Sequence, residues 1–396
     1  MNIKLLLSFI VTSFLCTNVT AQWTNLTSGT MAALQSVFFT DSLTGYIVGN
    51  GGVIYKTVNA GSSWSPQVSG TPNDLFEVHF PAPDTGYAVG YLGSIVKTVN
   101  GGATWNQVVS GTTNQFNAVF FNDVNTGWAV GGLGSSSIDM ILKTTNGGLS
   151  WTAQTNAQYQ QLSGVHFPST NIGYAVGNTG TILKTTDGIN WSPQTSGTVS
   201  LLRSVYFVND TLGWTVGESG TIKKTTNGGS TWTTQSSGTF QTLFSVKFLD
   251  ANNGYIAGGG GKILNTTDGG LTWTTQNSNA TGNLYFLYFT DFNTGYVVGI
   301  SGVIRKTIIT TELQEVRDNV FNFSPNPVQN FLNISLNTKL KRTTIRITDT
   351  EGRMVYSEVG NFVNKTIDVS AISSGIYILE ISTDDFKQSS PILIQH

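Results

Sequence analysis

Between residues 22 and 309 short apolar runs alternate with clusters of Gly, Asn, Asp, Ser and Thr. In one stretch the runs are 202–207, 213–217, 221–225 and 232–235, rich in β-branched and aromatic residues and alternating with polar ones. Such runs, bounded by turn residues, predict strands of four to six residues. No stretch holds a 3.6-residue period long enough for a helix. The same four-strand group recurs along the chain. Tryptophans stand at 23, 64, 105, 151, 191, 232 and 273, at spacings of 41, 41, 46, 40, 41 and 41. A Gly-aromatic pair keeps the same rhythm at Gly45-Tyr46, Gly86-Tyr87, Gly127-Trp128, Gly173-Tyr174, Gly213-Trp214, Gly254-Tyr255 and Gly295-Tyr296. A Lys-Thr pair follows at Lys56, Lys97, Lys143, Lys184, Lys224 and Lys306, and only Asn265 departs from it. Four strands per repeat of about 41 residues is the signature of a propeller blade, so seven copies predict a seven-bladed β-propeller.

The ends of the array predict how the ring closes. The chain enters on a tryptophan strand and leaves after Arg305-Lys306-Thr307 with no tryptophan strand to follow. Residues 23–27 are therefore expected beside residues 302–307 as the missing outer strand of the last blade, which removes the open edges. Before each internal tryptophan stands a Thr-x-Asn/Asp-Gly-type turn, such as 225–232. Its Asn or Asp is expected to accept backbone N–H groups, with Gly supplying positive φ. The pattern resembles the Asp-box. Because it recurs in blade after blade and mostly carries neutral Asn, it reads as a structural turn rather than a metal or sugar site.

The pattern changes beyond residue 309. A polar link at 310–320 leads to Phe323-Ser324-Pro325-Asn326-Pro327-Val328. Strand runs follow at 331–336, 344–348, 352–356, 366–369 and 375–381. Residues 321–396 read as a small β-sandwich, making the fold class all-β: a seven-bladed propeller followed by a C-terminal sandwich. At the other end, Lys4, an apolar run at 5–15 and a small residue at Ala21 read as a signal peptide over residues 1–21. Eleven residues are too few to span a bilayer. The expected product is exported, secreted or held at the outer cell surface, without a transmembrane segment in the mature chain.

Charge and composition narrow the function classes. The 396 residues carry 20 Lys plus Arg and 22 Asp plus Glu, a net charge of −2, which excludes a broad basic surface for nucleic acid. The single cysteine, Cys16, lies in the leader, and the three histidines are His79, His166 and His396, so no metal or cofactor is expected. His79 and His166 stand where Phe120, Tyr206 and Tyr288 stand in other copies, and are expected to be packed blade residues.

The frame Leu-x-x-Val-x-Phe, Gly-Tyr/Trp-x-Val-Gly, Gly-x-Ile-x-Lys-Thr, Asn-Gly-Gly-x-x-Trp resembles the photosystem II stability/assembly factor family over about 290 residues. That resemblance implies a seven-bladed propeller acting as a protein-binding platform without catalysis. The Pro-Asn-Pro start and late Gly-Ile-Tyr strand of the tail resemble the C-terminal sorting domain of the type IX secretion system of Bacteroidota. This implies export through that machinery as a partner.

The alternative is a secreted glycoside hydrolase of an Asp-box propeller type. A sialidase needs three arginines around its substrate carboxylate, and the propeller has only Arg203 and Arg305. A glycosidase needs two facing carboxylates about 5–9.5 Å apart. Glu77 and Glu218 are the only propeller glutamates, and Asp41, Asp84, Asp123, Asp210 and Asp291 read as turn residues. A pair formed by Glu77 with Asp74, or one centred on Glu218, is what this alternative would use.

A partner protein or glycan is expected on the face where the loop entering the inner strand meets the loop between strands two and three. Identities there that the repeat does not require are Phe76, Arg203, Phe244 and Tyr285 just inside the inner strands, and Tyr91 and Glu218 in the second loop set. Tyr159 and Phe240 stand in the first loop set, and a longer loop at 134–139 accounts for the 46-residue spacing. Tyr and Arg are enriched at binding hot spots. The expected site is Tyr91, Tyr159, Arg203 and Glu218, with Phe76, Phe244 and Tyr285 either joining them or plugging the central channel.

Overall fold

The computed structural model describes residues 22–132, 139–154, 160–308, 321–336, 343–383 and 387–396. The expected signal peptide, the 310–320 link, Tyr159 and nearly all of the 134–139 loop lie outside the described residues. These fall into two compact units, one up to residue 308 and one from residue 321.

The first unit is a propeller of seven four-stranded antiparallel sheets. Inner strands begin at Leu34, Leu75, Phe116, Leu162, Leu202, Leu243 and Leu284. Each packs against the next, and the last packs against the first, so the ring is closed. The seventh blade takes its outer strand from the N-terminus: Gln22–Leu26 pairs with Ile304–Ile308, with Trp23 opposite Thr307. Trp23 is fully buried, and its indole N–H donates to Gln276 at 2.9 Å in the neighbouring blade.

The markers seen in sequence are parts of one joint between blades. The aromatic of each Gly-aromatic pair stacks on the inner-strand Phe of the next blade, with centroids 3.4–4.6 Å apart, as in Tyr46–Phe80 and Trp214–Phe248. In six blades the tryptophan before the outer strand meets the same Phe edge-on at 5.8–6.1 Å. Offset and edge-on pairs are the arrangements ring quadrupoles favour. The glycine of the pair gives the Phe its place, since a Cβ on Gly86 would lie 2.5 Å from the Phe80 ring. Each Lys of the Lys-Thr pairs lies over the stacked aromatic, and Lys56, Lys97, Lys184, Lys224 and Lys306 donate into the next blade's turn. Lys56 and Tyr46 both reach the Gly101 carbonyl at 2.7 Å.

The turn itself is built as expected. In the fifth blade Asn227 Oδ1 accepts from Thr231 N at 3.0 Å, Thr225 Oγ1 accepts from Gly229 N at 2.9 Å, and Gly228 and Gly229 hold φ of +65° and +84°. Asn265, the one departure from the Lys frame, precedes the seventh blade. That blade's outer strand arrives from the N-terminus, without the turn that would offer a carbonyl.

The aspartates before the Gly-aromatic pairs divide. Asp41, Asp123 and Asp291 each accept two backbone N–H groups. Asp84 and Asp210 stand later in their loops, and Asn209 takes the accepting role in the fifth blade.

The second unit is a sandwich of a three-stranded and a four-stranded sheet. Its core is Ile345, Ile347, Leu379, Ile381 and Ile394 against Leu332, Ile334 and Ile367. Strands at Phe321–Ser324 and Lys387–Ile394 extend the sequence expectation. The run expected at 352–356 is instead Met354–Gly360, because Gly352 turns with φ +81° while Asp349 accepts from Arg353 N. The Pro-Asn-Pro segment fastens the last strand: Asn326 Oδ1 accepts from Leu393 N at 2.8 Å, and Gln395 N donates to Val328 O.

Candidate functional site

The side chains lining the propeller axis come from the inner strands, one set per blade. A bulge after the first residue of these strands re-aims the next positions. Backbone bonds such as Tyr91 N to Asp74 O and Glu218 N to Leu201 O hold the two loop sets of one face together.

At that mouth Phe76, Arg203, Phe244 and Tyr285 line one cavity of about 370 Å³, together with Gln35, Asn117 and Ser163. Arg203 Nη2 and Glu218 Oε1 are 3.0 Å apart, both partly exposed. The guanidinium lies over the Phe244 ring at 5.9 Å, and Phe244 meets Tyr285 edge-on at 5.2 Å. The far side of the mouth carries amides: Gln35 donates to Asn50 at 2.8 Å and Asn117 to the Leu162 carbonyl at 2.6 Å. Tyr91 does not line the cavity; it stands exposed on the rim. Phe240 is also exposed, yet Leu149 and Leu271 in the turns before the outer strands are comparably exposed, so exposure alone does not choose a face.

Deeper in the channel, seven equivalent positions form a ring: Phe38, His79, Phe120, His166, Tyr206, Lys247 and Tyr288. Successive aromatic members lie 4.6–5.4 Å apart. Lys247 bridges the remaining gap, its ammonium 4.3 Å from the Tyr206 centroid and 5.9 Å from that of Tyr288. His79 and His166 are packed residues, but across blades around the axis rather than within one blade. Burial, and secondarily the charge of Lys247, lowers both imidazoles to about 3 and so holds them neutral. Burial lowers Lys247 to about 8. Tyr206 and Tyr288 are raised by burial, Tyr288 to about 12.

Between the two layers sits Glu77. Ser36, Ser204 and Ser245 hold the equivalent place in other blades, each accepting the backbone N–H of the next blade's inner strand. Glu77 Oε2 does the same for Val119 at 2.8 Å, and burial raises its carboxyl to about 8. Asp74 accepts from Gly51 N at 2.7 Å. Among the described residues no three His, Cys, Asp or Glu side chains gather as metal ligands would.

Sequence reasoning noticed five members of the ring but passed over Lys247. Its signal was available: in the next-to-last position of Leu-x-x-Val-x-Phe, six copies carry rings and one carries an amine.

Residues 322–395 match the family model of the secretion system C-terminal sorting domain, and residues 233–308 that of the photosynthesis system II assembly factor YCF48. A search of curated protein sequences returns no match. Among solved structures, YCF48 from Cyanidioschyzon merolae is 20% identical with a TM-score of 0.61, covering 72% of this chain and 98% of its own. A structure titled YCF48 bound to D1 peptide is 19% identical with a TM-score of 0.63, covering 75% and 100%. PorZ, a surface component of the type IX secretion system of Porphyromonas gingivalis, is 14% identical with a TM-score of 0.53, covering 89% and 58%. The chain is thus a YCF48-like propeller followed by a type IX sorting tail.

Proposed function

We propose that this is an exported, non-catalytic propeller that binds a polypeptide at the mouth of its channel and reaches the cell exterior through its sorting tail. The cavity carries the binding reading. Its lining brings Arg203, which pairs with Glu218 outside the cavity, together with Phe76, Phe244 and Tyr285 on an otherwise repetitive scaffold. Aromatic anchors beside a charged pair, rimmed by amides, suit an extended peptide with mixed side chains. The YCF48 propeller bound to D1 peptide supports the same use of the fold. The match at 322–395 supports delivery to the outer surface or medium, and no helix among the described residues is long and apolar enough to cross a membrane.

Non-catalysis is supported by how the carboxylates are engaged: Glu218 by Arg203, Glu77 by Val119 N–H and Asp74 by Gly51 N–H. The test is peptide capture from a display library by the mature chain, followed by Arg203→Ala and Glu218→Ala. Loss of binding at unchanged melting temperature supports the reading. Turnover of a polysaccharide panel, abolished by Glu218→Gln, would replace it with hydrolysis.

A further inference from the structure

We propose that the channel interior is a binding site for an apolar carboxylate, its anionic end on Lys247 and its apolar part among the aromatic side chains above and around it. The site lies deeper than the mouth and does not depend on the polypeptide reading.

The observation is an unmatched cation in a built cavity. Lys247 faces the channel from the ring, its ammonium over the faces of Tyr206 and Tyr288. Among the described residues it has no ion pair. Arg203, the other cation of the cavity, is already matched by Glu218. Lys247 is half-buried, and an ammonium drawn even partly out of water without an anion is costly; ring quadrupoles recover only part of the loss. An incoming carboxylate supplies the missing partner, and Phe76, Phe244 and Tyr285 offer apolar walls on the way in. The cavity of about 370 Å³ suits a ligand of one ring or a short alkyl chain.

The other titratable groups His79, His166 and Glu77 facing the cavity do not oppose an anion near neutrality. His79 and His166 are neutral there, and Glu77, raised to about 8, holds its proton. As pH climbs past 8 the amine loses its charge while Glu77 gains one, and both changes oppose a carboxylate. The ligand could be a free acid or the C-terminal residue of a polypeptide, since both present the same group.

Titration calorimetry on the full mature chain tests this with phenylacetate and phenylacetamide, and with a peptide ending in Phe as free acid and as amide. The expected result is binding of an acid at least ~10-fold tighter than its amide, weakening by about tenfold from pH 7 to 9.5. Preference for the peptide acid over phenylacetate identifies a chain terminus as the source; the reverse identifies a small acid. Lys247→Tyr, which places in the sixth blade the residue its two neighbours already carry, should keep the melting temperature and abolish the acid–amide difference. Lys247→Arg should restore it. Equal affinity for acid and amide, no binding of any probe, or wild-type discrimination in Lys247→Tyr overturns the proposal. Arg203→Ala, which tests the mouth, should leave phenylacetate binding in place.

Discussion

Lys306, in the last complete strand of the propeller, donates a hydrogen bond to the carbonyl of Ala60 in the first blade at 3.2 Å. Tyr296 reaches the same carbonyl at 3.0 Å and stacks on Phe39 at 4.1 Å. The joint between the last and first blades is thus built like the internal ones. What differs is the outer strand, which comes from the other end of the chain.

Removing that strand should be felt throughout the ring. Deletion of residues 22–28 is expected to expose the edge of Ile304–Ile308 and lower the melting temperature. Trp23→Ala alone should cost about 3–5 kcal/mol, the range for emptying a buried indole site. Chemical denaturation of the two variants measures this, and an unchanged midpoint would mean that the strand does not close the propeller.

The inter-blade lysines should contribute only where a turn awaits them. Lys224 Nζ donates to the Gly269 carbonyl at 2.8 Å, so Lys224→Met should cost roughly 1 kcal/mol. Asn265→Lys should yield no gain, because the seventh blade has no such turn. Urea midpoints of the two variants decide it; stabilisation by Asn265→Lys would refute the account of the departure.

Two half-buried channel groups give opposite pH dependences. Glu77 titrates near 8 in the fold against an ordinary 4.5, so the native state keeps a proton that the unfolded chain releases. That contribution is complete below 4.5 and is lost as pH rises through 8, at no more than about 1.4 kcal/mol per pH unit. Glu77→Gln, which keeps an acceptor for Val119 N–H, should flatten the alkaline decline between 4.5 and 8. His79 is lowered to about 3 from 6.5, so its contribution is present above 6.5 and lost as pH falls toward 3. His79→Phe, matching Phe38 and Phe120 in the ring, should relieve acid loss in that window. Melting temperatures from pH 4 to 9 check both slopes.

Export should depend on the tail. In a host with a type IX system, removing residues 319–396 should leave the propeller in the periplasm, scored by cell fractionation. Normal appearance outside the cell would end the sorting assignment. Asn326→Ala, which removes the acceptor for Leu393 N, should destabilise the sandwich by about 1 kcal/mol.

The sequence displayed the architecture because its markers repeat. Phe80, Gly86, Tyr87, Lys97 and Trp105 recur in register, since each serves a joint that every blade must make. The closing strand was legible for the same reason, from a tryptophan strand surplus at one end and lacking at the other. The mouth was partly legible, because Arg203, Phe244 and Tyr285 depart from the amides and serine of other copies. The Arg203–Glu218 pair was not legible: the two are 15 residues apart, Arg203 on the inner strand and Glu218 in the turn after the next strand, and a bulge sets where Arg203 points. Lys247 shows in the sequence only as the one amine among six rings at its strand position, with nothing there to say which way it points. Only the closed ring turns that position toward the axis. Strand ends in the sandwich slipped at Gly352, where a turn interrupts the alternation.

The seventh blade's third strand, Ile304–Ile308, is held on both sides, by Thr294–Gly299 and by Gln22–Leu26. It is also the strand from which the chain leaves for the tail. Any tension applied through the tail, during passage across an envelope or while tethered, enters the propeller along this strand. Freeing it means breaking two ladders rather than one. With no cysteine beyond Cys16 to bolt the ring, that doubled grip is where the molecule resists being pulled apart.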